Sequence, residues 1–206
     1  GPGVVVVSNA GGPAVISADS IVKNGLELAV LSENDKNNLA NILPESASVS
    51  NPVDVLGDAL SDRFLNAIET VLQSDSCNSL LVLLTPQTMT QIKETAEVIG
   101  KASKKYNKPI FCSFIGGKLV NEGKKILNEM NVPSFDYPER AIYVIGQMWK
   151  FRKNQKSDKD NQVDIYQVLN FDILPEKINE IVNSAVEKKQ LALDNTDADI
   201  VVSEAG

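Results

Sequence analysis

The 206-residue chain opens with Val4-Val5-Val6-Val7-Ser8-Asn9-Ala10-Gly11-Gly12-Pro13, a segment that indicates how the whole domain is built. A continuous run of valines is typical of a strand that is buried on both faces. The polar and glycine residues that follow end the strand, and Pro13 suits a first helical turn, where its missing N–H costs nothing. A strand, a glycine-rich loop and a helix in this order predict the first βα unit of a parallel sheet.

The same alternation recurs along the chain. Further strands are predicted at Leu26 to Leu31, Ser79 to Leu84, Pro109 to Ser113 and Val132 to Phe135. Helices are predicted after Pro13, after Ser32, and at Asp62 to Leu72, Thr88 to Lys105, Gly117 to Met130 and Pro138 to Phe151. Parallel strands need helical crossovers, so five such units within about 150 residues predict an α/β fold with a flavodoxin-like, doubly wound, five-stranded parallel sheet.

Residues 152–206 have a different character. Arg152 to Asp164 is polar and rich in charge, which is typical of a linker. Pro175 is expected to begin an amphipathic helix, and Ile200-Val201-Val202 is expected to form a strand or strap. We therefore expect a domain at 1–151 and a linker with a helical extension at 152–206, too short to build a core of its own.

Composition excludes several classes of function. The net charge is −7, which disfavours nucleic-acid binding because phosphates are neutralised by basic patches. No apolar run approaches the roughly 20 residues that span a bilayer, and no signal peptide is recognised, so a cytoplasmic protein is expected.

Cys77 and Cys112 are expected to be reduced core thiols. The chain contains no histidine, which removes the commonest general base and any histidine metal site, and neither a metal site nor a catalytic residue is predicted.

Two loops are candidates for a phosphate site. In an open parallel sheet, ligands bind beyond the carboxyl ends of the strands, where the strand order reverses. The first loop offers donors at Ser8, Asn9 and Ala10, and Gly11 and Gly12 let the backbone approach an anion closely. Alternatively, this loop is only a tight turn. A phosphate site is predicted because a second suitable loop is expected beside this one.

The second loop, Thr85-Pro86-Gln87-Thr88, leads from the most apolar strand into a long helix, whose N-terminus would attract an anion. Alternatively, Thr88 is only the N-cap of that helix. Patterns for ordinary nucleotide binding, G-x-G-x-x-G and G-x-x-x-x-G-K-[ST], are absent from the sequence.

Two further turns are expected at the same edge of the sheet. Asn51 and Asp54 would support the site, although an Asx turn is the more common role for such an aspartate. Gly116 and Gly117 follow the fourth strand and would supply another anion-binding turn, or only a flexible connection.

Taken together, these motifs resemble the ligase-CoA domain of ADP-forming acetyl-CoA synthetases, in the succinyl-CoA synthetase superfamily, over about residues 3 to 151. The resemblance is carried by Val5 to Pro13, Asn51-Pro52-Val53-Asp54, Leu84-Thr85-Pro86-Gln87, Gly116-Gly117 and Tyr137-Pro138-Glu139. It implies the reaction acyl-CoA + ADP + phosphate ⇌ carboxylate + CoA + ATP, through an acyl phosphate and a phosphorylated histidine on a neighbouring domain. Ser8 stands where the family more often has Thr, and Ala14 where it commonly has Gly.

The resemblance also implies partners. CoA-binding, histidine-bearing and ATP-grasp domains would belong to the same protein or complex. The intact enzyme would use CoA, ADP/ATP, phosphate and Mg, and its other substrate would be a small acyl compound. Residues 175–187 and 193–198 resemble the junction to an ATP-grasp domain. The domain alone is expected to bind phosphate at most, and to catalyse nothing. Two alternatives remain: the same domain within a protein acetyltransferase, and a non-catalytic flavodoxin-like module.

Overall fold

A parallel sheet with helices on both faces forms the first of two units in the chain. The computed structural model describes residues 1–160, 176–190 and 192–205. The chain divides into Gly1–Asn154 and Gln155–Gly206. The strands are β1 (Gly3–Ser8), β2 (Glu27–Leu28), β3 (Val53–Asp54), β4 (Ser79–Leu84), β5 (Ile110–Phe114) and β6 (Ser134–Phe135). The helices are α1 (Gly11–Lys23), α2 (Glu33–Ile42), α3 (Ser61–Gln73), α4 (Ile92–Lys105), α5 (Asn121–Glu129) and α6 (Pro138–Asp160), with a 3₁₀ turn at Gly117–Val120.

The strand order confirms the predicted fold class. Five strands run β2-β1-β4-β5-β6, all parallel, and β3 pairs with the carboxyl end of β1. The sequence does not predict β3, because two residues carry no recognisable period. The strand order reverses between β1 and β4, so the loops after these two strands lie side by side at the predicted switch point.

The core has two layers, one on each face of the sheet. Val5 and Val7 of β1 pack on one face, whereas Val4 and Val6 pack on the other. Both sets are fully buried, which explains the continuous valine run: neither face of this strand meets solvent. Helix α1 and the start of α6 cover the Val4–Val6 face, and α3, α4 and α5 contribute to the other.

Two predicted helix boundaries are wrong. Helix α4 begins at Ile92, not at Thr88, because residues before it form a turn. Helix α6 continues to Asp160, into the region predicted as a linker, since Lys and Gln are good helix formers when exposed. Residues 161–164 of that predicted linker lie outside the described residues.

The second unit is helical where it is described, with α7 (Glu176–Glu187) and α8 (Asn195–Ala205). Ile200-Val201-Val202 lies within α8, so the predicted strand is wrong. Asp194 accepts a hydrogen bond from the Asp197 N–H at 2.9 Å, and this capping favours the helix over the β propensity of the apolar run. Pro175, the predicted start of α7, lies outside the described residues. None of the described helices is long and apolar enough to cross a membrane.

Candidate functional site

Four loops meet at the carboxyl edge of the sheet. A Cβ atom added to Gly57, after β3, would lie 3.6 Å from Gln87 Cγ and 3.9 Å from the Asn9 carbonyl oxygen. A Cβ atom added to Gly116, after β5, would lie 2.6 Å from Pro86 Cγ. The loops after β1, β3, β4 and β5 are therefore in contact, as the sequence predicts, and Gly116 is needed for close packing against Pro86.

Asn9 joins the two loops that were predicted to bind phosphate. Its Nδ2 donates to the Thr85 carbonyl oxygen at 2.9 Å, and its Oδ1 accepts from the Thr85 N–H at 2.9 Å. The residue is only 3% exposed. Its side-chain amide therefore pairs with a peptide group, and Asn9 positions the loops relative to each other.

The Ser8 hydroxyl is also used within its own loop. Its Oγ donates to the Ala10 carbonyl oxygen at 2.8 Å and accepts from the Ala10 N–H at 3.1 Å. Ser8 is fully buried, and Ala10 has the extended backbone typical of a residue just before a helix. These bonds hold the chain in place where α1 begins.

The N-terminus of α1 has free donors and no competing group. Gly11 and Gly12 are exposed, no side chain caps the helix, and its first turn contains no acidic residue. The first N–H groups of a helix have no intrahelical acceptor, and the helix dipole makes this end positive. Apart from the chain neighbours and the backbone of α1 itself, no described residue has an atom within 4 Å of a Cβ atom added to either glycine. The space and the donors fit a small anion such as phosphate.

The loop after β4 does not provide the helix N-terminus that the sequence predicts. The Gln87 N–H donates to Thr90 Oγ1 at 2.8 Å, and the Thr90 N–H donates to the Gln87 carbonyl oxygen at 3.1 Å. Residues 87–90 thus form a turn, and Thr88 is not the N-cap, which is Gln91. Thr85 Oγ1, in contrast, is buried and has no hydrogen-bond partner within the described residues.

The supporting residues have mainly structural contacts. Asn51 Nδ2 donates to the Val4 and Ala29 carbonyl oxygens at 2.8 and 2.9 Å, and its Oδ1 accepts from the Val6 N–H at 2.9 Å. The side chain thus joins β1 to the chain after β2, away from the open edge. Asp54 Oδ1 accepts from the Leu56 N–H at 2.8 Å, which is the Asx-type turn considered as the alternative.

Gly117 is exposed at the start of the 3₁₀ turn, with φ of 56°. This left-handed backbone conformation favours glycine.

Sequence reasoning missed two cations near this edge, Arg63 and Lys118. Arg63 Nη1 donates to the Val55 carbonyl oxygen at 3.0 Å and to Asp58 Oδ1 at 2.6 Å.

The hydrogen bond from Arg63 lowers the pKa of the Asp58 carboxyl group below its usual value. No sequence motif connects these two residues, so only their contact identifies the pair. Lys118 follows the Gly116-Gly117 pair and is exposed. Across the described ranges, no cluster of acidic, cysteine or histidine side chains could hold a metal ion.

A separate groove lies at the opposite end of the strands. It has a volume of about 480 Å³ and is bordered by Ser79 and Pro109, near the starts of β4 and β5, and by Trp149 of α6. Because these residues are at the amino ends of the strands, the groove is not part of the candidate site. At the carboxyl edge, the described residues thus present backbone N–H donors at the start of α1, a geometry that suits a small anion.

Comparison with known proteins gives consistent matches. The ligase-CoA domain family matches residues 4–157. The chain is 37% identical over 157 residues to 4-hydroxybutyrate–CoA ligase [ADP-forming] of Nitrosopumilus maritimus, covering 75% of this chain and 22% of that protein. It is 33% identical over 154 residues to acetate–CoA ligase [ADP-forming] II subunit alpha of Pyrococcus furiosus, covering 71% of this chain and 34% of that one.

Solved structures agree in fold. Acetyl-coenzyme A synthetase 1 of Ca. Korarchaeum cryptofilum, in complex with phosphate and ADP, superposes with a TM-score of 0.73 at 25% identity. That match covers 79% of this chain and 36% of the other. A crystal structure from Pyrococcus horikoshii OT3 gives a TM-score of 0.68 at 31% identity, covering 71% of this chain and 34% of that one. The chain thus spans about a third or less of the length of these relatives.

Proposed function

The chain belongs to the ligase-CoA domain family of ADP-forming acetyl-CoA synthetases, and on this premise we propose that it forms the phosphate and acyl-phosphate site of an acyl-CoA synthetase. The intact enzyme would catalyse acyl-CoA + ADP + phosphate ⇌ carboxylate + CoA + ATP. One observation carries the proposal: α1 presents an uncapped N-terminus with two exposed glycines at the switch point of the sheet.

The two site loops would have different roles. The N–H groups of Gly11 and Gly12 would donate to phosphate oxygens, and hydrogen bonds to an ionised acceptor are about twice as strong as neutral ones. Asn9 would hold the Thr85 loop beside α1, so that Pro86, Gln87 and Thr88 form the second wall of the site. The Thr85 hydroxyl is buried and without a hydrogen-bond partner in the described residues, so it would donate to the anion only if binding exposes it.

The remaining steps of the reaction would take place on other domains. The chain has no histidine, so a phosphohistidine intermediate would be brought to α1 by a neighbouring domain or subunit. CoA and ADP would be bound elsewhere, as in relatives that are multidomain ligases or alpha subunits. Within this proposal, residues 1–151 form the ligase-CoA domain and 152–206 lead towards an ATP-grasp domain.

The test is a phosphate titration of isotope-labelled protein, followed through backbone amide shifts. We expect saturable shifts at Gly11, Gly12 and Thr85 to Thr88. The variant Gly12→Glu places a carboxylate at the positive end of α1, where it would cap the helix and repel phosphate, so binding should weaken about tenfold or more. The open space around Gly12 predicts that the variant folds.

Gly12→Gln is the matched control, because it has nearly the same size without the charge, and it should bind phosphate more tightly than Gly12→Glu. Scattered shifts, or none at millimolar phosphate, would contradict the proposal for this domain. Equal phosphate affinity of the two variants would show that the anion binds away from α1.

A further inference from the structure

Lys118 lies on the loop that packs directly against the candidate phosphate site. Gly116 contacts the Pro86 ring so closely that an added Cβ atom would lie 2.6 Å from Pro86 Cγ. Gly117 then takes a positive φ of 56°, which turns the chain into the short 3₁₀ helix that carries Lys118. The lysine therefore follows the β5 loop at the same sheet edge as α1 and the Thr85 loop.

Lys118 is exposed and forms no ion pair with any described residue. Neighbouring cations differ in this respect. Arg63, after β3, is bonded to Asp58, Lys93 of α4 pairs with Glu122, and Lys124 of α5 pairs with Asp136. Arg140, also exposed, follows β6, which is one strand farther from α1 than β5. Among the described residues, Lys118 is thus an unpaired cation that lies nearer to α1 than Arg140 does.

The candidate site needs a positive charge that the residues already assigned to it do not supply. The donors proposed for it are the backbone amides of Gly11 and Gly12, which are neutral, in a chain of net charge −7. Phosphate carries more than one negative charge near neutral pH. Helix-dipole stabilisation of an anion is modest at an exposed site, so a nearby cation would add substantially to affinity.

The geometry allows the contact. Adjacent strands lie about 4.8 Å apart, and β5 is two strands from β1, so the two loops are separated by roughly 10 Å. A lysine has a flexible four-carbon side chain with a compact charge at its end. Because the phosphate would lie between the two loops, the lysine side chain has to cross only part of their separation. An ammonium group on this loop can therefore approach an anion held at α1.

We propose that the Lys118 ammonium binds the phosphate held at the N-terminus of α1 and neutralises part of its charge. This inference rests on the proposed function, and it adds a residue that the motif analysis does not contain. Lys118 is a binding residue for the anionic oxygens of phosphate or an acyl phosphate. Backbone amides of α1 set the position of the anion, and the lysine sets much of its affinity and salt dependence.

Phosphate titrations of three variants test the inference. Lys118→Gln should weaken phosphate binding about three- to tenfold and reduce the salt dependence of the affinity. Lys118→Arg should stay close to the wild-type affinity, because it keeps the charge. Lys125→Gln removes an equal charge from α5, where the lysine side chain is 76% exposed and only 3.9 Å from Glu129, and should change the affinity little.

The outcomes separate this inference from the proposed function. If the wild type binds phosphate at α1 and Lys118→Gln binds equally well, the role of Lys118 is wrong while the phosphate site stands. If Lys118→Gln and Lys125→Gln weaken binding alike, only the net charge matters and the inference also fails. If the wild type does not bind at α1, the proposed function of this domain fails first.

Discussion

Two asparagine side chains of the first unit form hydrogen bonds to backbone groups that would otherwise need another peptide group as partner. Asn9 pairs with both the N–H and the carbonyl group of Thr85, and Asn51 bonds Val4, Val6 and Ala29. In each case the amide offers a donor and an acceptor in one plane, as a peptide group does. At the scale of single residues, the geometry of the site thus depends on polar groups that need not contact a ligand.

Asn9→Ala should lower the free energy of unfolding by about 2–4 kcal/mol, because it leaves two backbone groups of Thr85 without partners in a nearly buried place. Urea denaturation measures the change. Asn38→Ala, on an exposed position of α2, is the control and should stay within about 0.5 kcal/mol of the wild type. A similarly small effect for Asn9→Ala would mean that water replaces the amide at no cost.

Helix α2 is held at its start by a capping box. Asp35 Oδ2 accepts from the Ser32 N–H at 3.0 Å, from Ser32 Oγ at 2.7 Å and from Ser74 Oγ at 2.8 Å. The last bond connects the start of α2 to the end of α3. Partial burial alone would raise the pKa of Asp35, but the hydrogen bonds from Ser32 and Ser74 outweigh it, and the pKa is lowered.

The lowered pKa of Asp35 predicts a pH dependence of stability. The folded state favours the carboxylate, so this contribution is fully present above the unfolded pKa of about 3.9 and is lost as the pH falls through the folded pKa. Between about pH 5 and pH 3, the free energy of unfolding should therefore fall more steeply for the wild type than for Asp35→Asn.

Urea titrations at a series of pH values measure both slopes. Ser32→Ala removes one of the hydrogen bonds to Asp35 Oδ2, and its slope should lie between those of the wild type and Asp35→Asn. Parallel slopes for all three proteins would show that Asp35 does not distinguish the folded from the unfolded state.

On the scale of the whole molecule, the two-layered core excludes water from both thiols. Cys77 and Cys112 are free and fully buried. Burial raises the pKa of Cys77 to about 11 and raises that of Cys112 as well. Since the thiolate is the reactive species, neither cysteine is suited to redox or nucleophilic chemistry in the folded protein.

We expect no labelling of the native protein by a thiol reagent near pH 8, and two thiols labelled per chain after unfolding in urea. The absorbance of the chromophore that the reagent releases measures the rate of labelling. Lys125→Cys places a thiol at a side chain that is 76% exposed, and this third thiol should react rapidly without denaturant. Rapid labelling of the native wild type would mean that the core opens locally.

The sequence predicts the sheet and the edge where its site lies. The valine run of β1 and the leucine run of β4 are continuous and buried, and glycine or proline follows each, so the βα pattern is local and readable. It does not predict β3, which has two residues, or the start of α4. There, Thr88 has the residue type of an N-cap, but the Gln87–Thr90 turn forms instead.

Apolar runs and chain breaks act over a few neighbouring residues, so they predict the fold class and the loops at the carboxyl edge, and the motifs of those loops resemble one family. The roles of the polar residues at that edge depend instead on the folded chain. Asn9 and Thr85 are 76 positions apart, and Asn51 and Val6 are 45 apart. A side-chain hydrogen bond depends on which groups the folded chain brings within about 3 Å, and no local pattern specifies a partner across such separations.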